Sequence, residues 1–211
     1  MDPSILHTSS LSIHGRSFVD VDVEQGLTLL TTAREASSSS YSLVLSGRMR
    51  PDAGTVLLDG TPAKARQLAR HIALAGVTEI DSLERLVTVR AVVREQIAWA
   101  SPWYRLVPRA IDQDSSWRHY SEMLGLDLNP GTLVGDLDVG QRFLLRVALS
   151  LISRRDPKLL VVDDPDQVRS MQLRSEILSR LKEVSTAVPV LVVSTNPDFD
   201  GIADATEEVA A

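Results

Sequence analysis

Lys158-Leu159-Leu160-Val161-Val162-Asp163-Asp164-Pro165 decides how the rest of the chain is read. The run is short, aliphatic and β-branched, and it does not alternate, which is the pattern of a strand buried on both faces of a parallel sheet. Such strands present functional groups at their carboxyl ends, so the two carboxylates and the proline mark an edge where chemistry is placed. Immediately upstream, Leu137 to Ile152 reads as a long apolar helix opened by Gly140-Gln141, and helix and acidic strand form one block.

Working outward, a second non-alternating strand is expected at Val188 to Thr195, with a helix from about Gln167 to Val184 between the two. Toward the N-terminus, Leu11 to Ile13 and Phe18 to Glu24, where Val19, Val21 and Val23 alternate with acids, read as a half-exposed antiparallel pair. Leu27 to Thr32 is a buried strand that runs into Ala33-Arg34-Glu35-Ala36-Ser37-Ser38-Ser39-Ser40, and Tyr41 to Gly47 is a short helix closed by glycine. A helix over 63–70, a strand over 72–75 and a helix from Val89 to Trp99 capped by Thr88 follow. Alternating strands and helices predict a doubly wound α/β core.

Composition bounds the function classes. The 211 residues suit one sizeable core with an appendage, and 44% hydrophobic and 24% charged residues are ordinary globular values. A net charge of −6 gives no basic footprint, so nucleic acid is not an expected partner. The absence of cysteine removes disulfides and thiolate metal sites, leaving carboxylates and four histidines for any metal chemistry. No apolar run approaches the ~20 residues needed to span a bilayer, and Met1-Asp2-Pro3-Ser4 has no leader pattern. The expectation is a soluble, cytoplasmic chain.

Two segments carry a specific resemblance. Residues 137–165 resemble the signature helix and Walker B strand of ATP-binding cassette (ABC) ATPases, and Arg50-Pro51-Asp52-Ala53-Gly54-Thr55-Val56-Leu57-Leu58-Asp59-Gly60 resembles the segment after their phosphate-loop helix. The resemblance implies an α/β fold of the P-loop NTPase (RecA-like) type: a parallel sheet core with an antiparallel β edge and a small helical subdomain. It implies a core lobe of 1–80 and 156–211 and a helical subdomain over 81–155 carrying the signature-like segment.

The same resemblance assigns site positions, and each departs from the family pattern. The loop GxxxxGK[ST] falls on Thr32 to Ser39, with Thr32 and Ser37 at the glycines, Ser38 at the lysine, Ser39 at the Mg²⁺ ligand and Ser40 after it. A working loop needs glycines so that successive N–H groups can wrap phosphate, and a lysine to reach the β/γ-phosphates. Glu35 brings a carboxylate into the loop beside Arg34. The plain alternative is a polar turn and helix cap made by Ser37 to Ser40.

The signature falls on Leu137, Asp138, Val139, Gly140 and Gln141, where Asp138 can occupy the helix N-terminus itself. Asp163 stands at the Walker B position, with Ser39 for Mg²⁺, and Asp164 stands where the family has its catalytic glutamate, one methylene short of the attacking water. The alternative for both carboxylates is capping of the strand end and the next helix. The switch histidine falls on Asn196, which cannot carry a proton, and the Q-loop glutamine falls near Val77. His14 lies near the adenine-stacking position, or is simply a hairpin residue.

Taken together, the resemblance implies a subunit on the inner face of a membrane with weak or absent ATP hydrolysis, whose cofactors, if any, are ATP and Mg²⁺. The implied partner is an integral membrane permease-type protein, with a homo- or heterodimer of cassettes also possible. Trp99, Trp103 and Tyr104 cluster where the family takes its membrane partner, although an aromatic trio is more often simple core packing. Two other readings stay open: a divergent active ATPase using Ser39, Asp163 and Asp164, and a pseudo-cassette paired with a competent one.

Overall fold

The computed structural model describes residues 4–32, 38–154 and 156–209, without the side chains of Ser38, Glu79 and Val209. In chain order the elements are β1 (Leu6–Ile13), β2 (Arg16–Ser17), β3 (Asp22–Val23), β4 (Leu27–Thr32), α1 (Ser38–Leu45), β5 (Ala53–Leu58), β6 (Thr61–Pro62), α2 (Ala65–His71) and β7 (Ile72–Ala75). There follow α3 (Thr78–Asp81), α4 (Val89–Ala100), α5 (Ser115–Met123), α6 (Val139–Ile152), β8 (Leu159–Asp163), α7 (Met171–Ser185), β9 (Val190–Ser194) and β10 (Ala205–Val209).

Five strands form a parallel sheet in the order β10-β4-β9-β8-β7. Every residue of β7, β8 and β9 is buried, which is why their sequences are continuously apolar. Because the strands run the same way, their carboxyl ends share one edge: Asp163 pairs in register with Val193, and Thr31 with Ser194.

A separate antiparallel sheet, order β2-β1-β5-β6 with β3 also on β1, lies over one face. Leu6, Leu11 and Val56 from it pack with Tyr41, Val44 and Leu45 of α1 and with Leu30, Val161 and Val193 of the parallel sheet. Phe18 stacks on Tyr41 with ring centroids 4.8 Å apart. The opposite face is covered by α4 to α7, through Val93, Trp117, Phe143, Val147, Ile177 and Leu181 among others. The result is a layered α/β core with α1 held between two sheets, and it bears out the expected fold class.

Two local expectations change. Within 18–24 only β3 pairs with β1, β2 lying just before that segment, and Val19 is 53% exposed while Val21 and Val23 are buried. The helix expected from Gln167 starts at Met171: Pro165–Val168 forms a 3-10 turn and Ser170 Oγ accepts from the Leu173 N–H. In addition, the acidic segment near the C-terminus contains a strand, β10, added parallel to β4 and anchored by Asp204, whose carboxylate accepts from the Leu27 N–H.

Two glycines are required by the chain's path. Gly47 (φ +72°) turns the chain after α1, where a Cβ would lie 2.2 Å from the Ala65 carbonyl oxygen. Gly76 (φ +96°) ends β7 so tightly against β8 that a Cβ would lie 2.0 Å from the Asp163 carbonyl oxygen. Gly76→Ala therefore lowers the unfolding free energy by roughly 3 kcal/mol or more, combining backbone strain with a clash that neither strand can relieve. Urea denaturation checks it, and a loss below about 1 kcal/mol contradicts this packing.

Candidate functional site

The carboxyl ends of β4, β8 and β9 meet the first turns of α1, and Asp163 is the centre of that meeting. Its side chain is 1% exposed, and one carboxylate oxygen accepts from Ser39 Oγ while the other accepts from Ser42 Oγ, both at 2.6 Å. The serines are three residues apart, so one face of α1 delivers both hydroxyls. Short charge-assisted hydrogen bonds of this kind offset the cost of burying a carboxylate. Thr32 is buried at the end of β4 with its hydroxyl 3.5 Å from the Ser194 carbonyl oxygen. Ser40 is half-buried on α1, Ser38 is the first helical residue, and Ser37, Glu35 and Arg34 lie outside the described residues.

Next to Asp163, Asp164 adopts a left-handed backbone conformation (φ +45°) and caps no helix through its side chain. Burial pushes its carboxyl above the usual range, and the nearby carboxylates of Asp166 and Asp163 push it the same way. Asp166 is differently placed. Burial raises it, but hydrogen bonds from Asn196, Ser194 and the Thr195 N–H, with the Arg174 charge, bring it below the usual range.

Arg174 and Asp166 form an ion pair at 2.6 Å with side chains 1% and 10% exposed. The same guanidinium donates to Ser194 Oγ at 3.0 Å and to the Asn196 carbonyl at 2.9 Å. The end of β9 is thereby fixed to α7. Removing one partner of a buried pair leaves the other charge uncompensated, a loss on the order of 3–5 kcal/mol.

A second polar chain joins the strand edge to α6. Arg146 donates to Asp81 at 3.1 Å and to Gln167 at 2.8 Å; Gln167 donates to the carbonyls of Gly76 and Asp164, and Asp81 accepts from the Gly76 N–H. Val77, at the position assigned to a glutamine, is buried and offers no side-chain oxygen. Gln167 supplies the amide in that neighbourhood instead, from the opposite side.

At the start of α6, Asp138 accepts from the Gln141 N–H at 2.8 Å and its own N–H donates to Gln141 Oε1 at 3.2 Å, a reciprocal capping box. Gly140 is buried, and a Cβ there would lie 2.6 Å from Leu173, so the small residue serves helix packing. With Gly125 and Arg180 these residues line a separate cleft of about 350 Å³. His14 sits exposed, with φ +51°, in the β1–β2 turn. Trp99, Trp103, Tyr104 and Leu106 are 81%, 95%, 73% and 92% exposed, so this group is a surface feature and not core.

Thus Thr32, Ser39, Asp163, Asp164 and Asn196 come together at one sheet edge, while Asp138, Gly140 and Gln141 stand apart. Ser42, Asp166 and Arg174 escaped the sequence reading. Arg174 had a detectable signal, since it interrupts the apolar face carrying Ile177, Leu178 and Leu181. Ser39 and Asp163 offer the hard oxygen donors that suit Mg²⁺. Among the described residues no three His, Asp or Glu could hold a metal by themselves, so any ion there needs a ligand's phosphate oxygens and water as well.

No protein-family model matches the chain. Among curated proteins it is 26% identical over 193 residues to the ribose import ATP-binding protein RbsA of Pseudomonas putida, covering 89% of this chain and 34% of that protein. It is 30% identical over 157 residues to ribose import ATP-binding protein RbsA 1 of Rubrobacter xylanophilus, covering 72% of this chain and 31% of that one. The Nod factor export ATP-binding protein I of Rhizobium etli is 27% identical over 161 residues, 76% of this chain and 48% of that protein. The chain thus spans between about a third and a half of the length of these relatives.

Solved structures agree on the fold. CbiO1 of Clostridium perfringens, part of an ABC transporter complex, superposes with a TM-score of 0.78 at 17% identity, covering 99% of this chain and 85% of that one. An ATP-binding protein of Pyrococcus furiosus described as a putative ABC transporter gives 0.71 at 16% identity, with 96% of each chain covered.

Since Asp164 is raised, its ionised form opposes folding: the stability it leaves intact below its unfolded pKa is lost as pH rises through the folded value. Asp164→Asn removes that charge and places asparagine, which tolerates the left-handed region well. The variant should melt about 2 °C higher at pH 7, with the gain shrinking toward pH 4. Scanning calorimetry at both values decides it; an unchanged or lower melting temperature at pH 7 contradicts the assigned environment.

Proposed function

With ATP-binding subunits of ABC transporters as its relatives and the ABC cassette as its fold, this chain is, we propose, a cassette-type subunit that works peripherally on a membrane transport complex with weak or absent ATP hydrolysis. The observation that carries this reading is the contact of Ser39 with Asp163. It supports the register of the loop, and in that register Ser38 occupies the lysine position. Phosphoryl transfer depends on charge stabilisation at the phosphates, so a serine there removes a main catalytic contribution.

The other positions support the same direction. Asp138 already satisfies the start of α6, and its carboxylate would repel a γ-phosphate offered by a partner cassette. Asn196 carries no titratable proton, and its carbonyl is held by Arg174. Asp164 is one methylene shorter than the glutamate it replaces, which withdraws its carboxylate from the attacking water.

Attachment to the membrane complex falls to the exposed Trp99, Trp103 and Tyr104 group, since aromatic residues are favoured interface anchors and no helix among the described residues is long and apolar enough to cross a membrane. The partner is then an integral membrane permease-type protein on the inner face, with a second cassette as a further partner. The competing enzyme reading, an active divergent ATPase, has the intact Ser39–Asp163 pair in its favour.

Steady-state turnover separates the two. The chain should hydrolyse Mg²⁺-ATP no faster than the same chain carrying Asp163→Asn and Asp164→Asn, whereas a rate clearly above that control favours the enzyme. Cross-linking from membranes through a photoreactive group at position 103 should recover an integral membrane protein, and recovery of soluble neighbours only removes the docking role.

A further inference from the structure

A cleft of about 470 Å³ lies away from the strand edge, between the end of α1, the β5–β6 hairpin and α2. Its floor is apolar, formed by Val44, Val56 and Leu68, which are buried in the core. Around it stand Arg50, Lys64 and Arg66, all exposed. The lining contains these three cations and no carboxylate, on a chain with 28 acidic and 22 basic residues.

Neighbouring acids are engaged elsewhere. Asp52 accepts from the Gly15 N–H at the β1–β2 turn, and Asp59 pairs with Lys158. Among the described residues none of the three cations makes an ion pair. The arginines of the cleft beside α6 behave otherwise: Arg142 donates to the carbonyls of Gly135 and Leu137, and Arg146 to Asp81 and Gln167. Those cations hold the fold together, whereas Arg50, Lys64 and Arg66 are left to face a ligand.

From this we propose that the α1/β5–β6/α2 cleft binds a small amphiphilic anion, one anionic head with an aliphatic body. The head is held by Arg50, Lys64 and Arg66, and the body lies on Val44, Val56 and Leu68. The volume falls within the range of small-molecule sites, and an apolar floor with a few convergent charges is their usual make-up. The site does not depend on whether the strand edge binds nucleotide.

Octanoate is a suitable probe, titrated into the full chain and followed by amide NMR shifts and calorimetry, with octan-1-ol and acetate as controls lacking the head or the body. Saturable octanoate shifts should centre on residues 44–68, with both controls weaker. The triple variant Arg50→Gln, Lys64→Gln, Arg66→Gln, confined to exposed side chains, should bind octanoate about tenfold more weakly, as expected of three surface ion pairs. Ala63→Trp should block binding by filling the cleft, and the mapping on the unaltered chain stands if a variant fails to fold. Shifts centred elsewhere or absent, octan-1-ol binding as tightly as octanoate, or undiminished binding in either folded variant overturns the proposal.

Discussion

A buried carboxylate with both oxygens gripped by serine hydroxyls, Asp163 with Ser39 and Ser42, is the contact on which the site depends. It joins the end of β8 to α1. The charge is satisfied within the protein, by hydroxyl groups that also pin the helix. For a metal-bound phosphate to enter, Ser39 would have to exchange a 2.6 Å hydrogen bond for coordination, without a lysine at position 38 to favour the exchange.

The surrounding polar groups follow the same logic. Asp166 and Arg174 lock the end of β9 to α7, and Arg146, Gln167 and Asp81 lock the turn after β7 to α6. Each lock spans two elements that frame the strand edge. Paired internally, these groups give rigidity and register, and they keep their hydrogen-bonding capacity away from a ligand. At this strand edge the donors and acceptors are turned toward one another.

Much of the fold was legible because burial on both faces leaves an unmistakable trace: Leu159 to Val162 and Val190 to Val193 cannot be amphipathic, and Thr88 announces its helix by capping it. The errors fell where the pattern is set by distant partners. β10 is polar in sequence and becomes a strand because β4 offers it an open edge. Helix α7 starts late because Pro165 and the left-handed Asp164 and Arg169 shape a 3-10 turn first. In the site, Thr32, Ser39, Asp163 and Asn196 were legible from motif spacing, while Ser42 and Asp166 look like ordinary polar residues until the fold brings them to Asp163 and Arg174. Exposure of Trp99 and Trp103 could not be read from residue type, since aromatic clusters are more often found in cores.

The central claim is that the strand edge is satisfied internally and takes Mg²⁺-nucleotide poorly. Equilibrium titration of the chain with a fluorescent ATP analogue, with and without Mg²⁺, tests this directly. The account predicts weak binding that Mg²⁺ does not improve. Tight, Mg²⁺-dependent binding, lost on Asp163→Asn, would contradict it and show that Ser39 and Asp163 open to a metal-bound phosphate without the lysine.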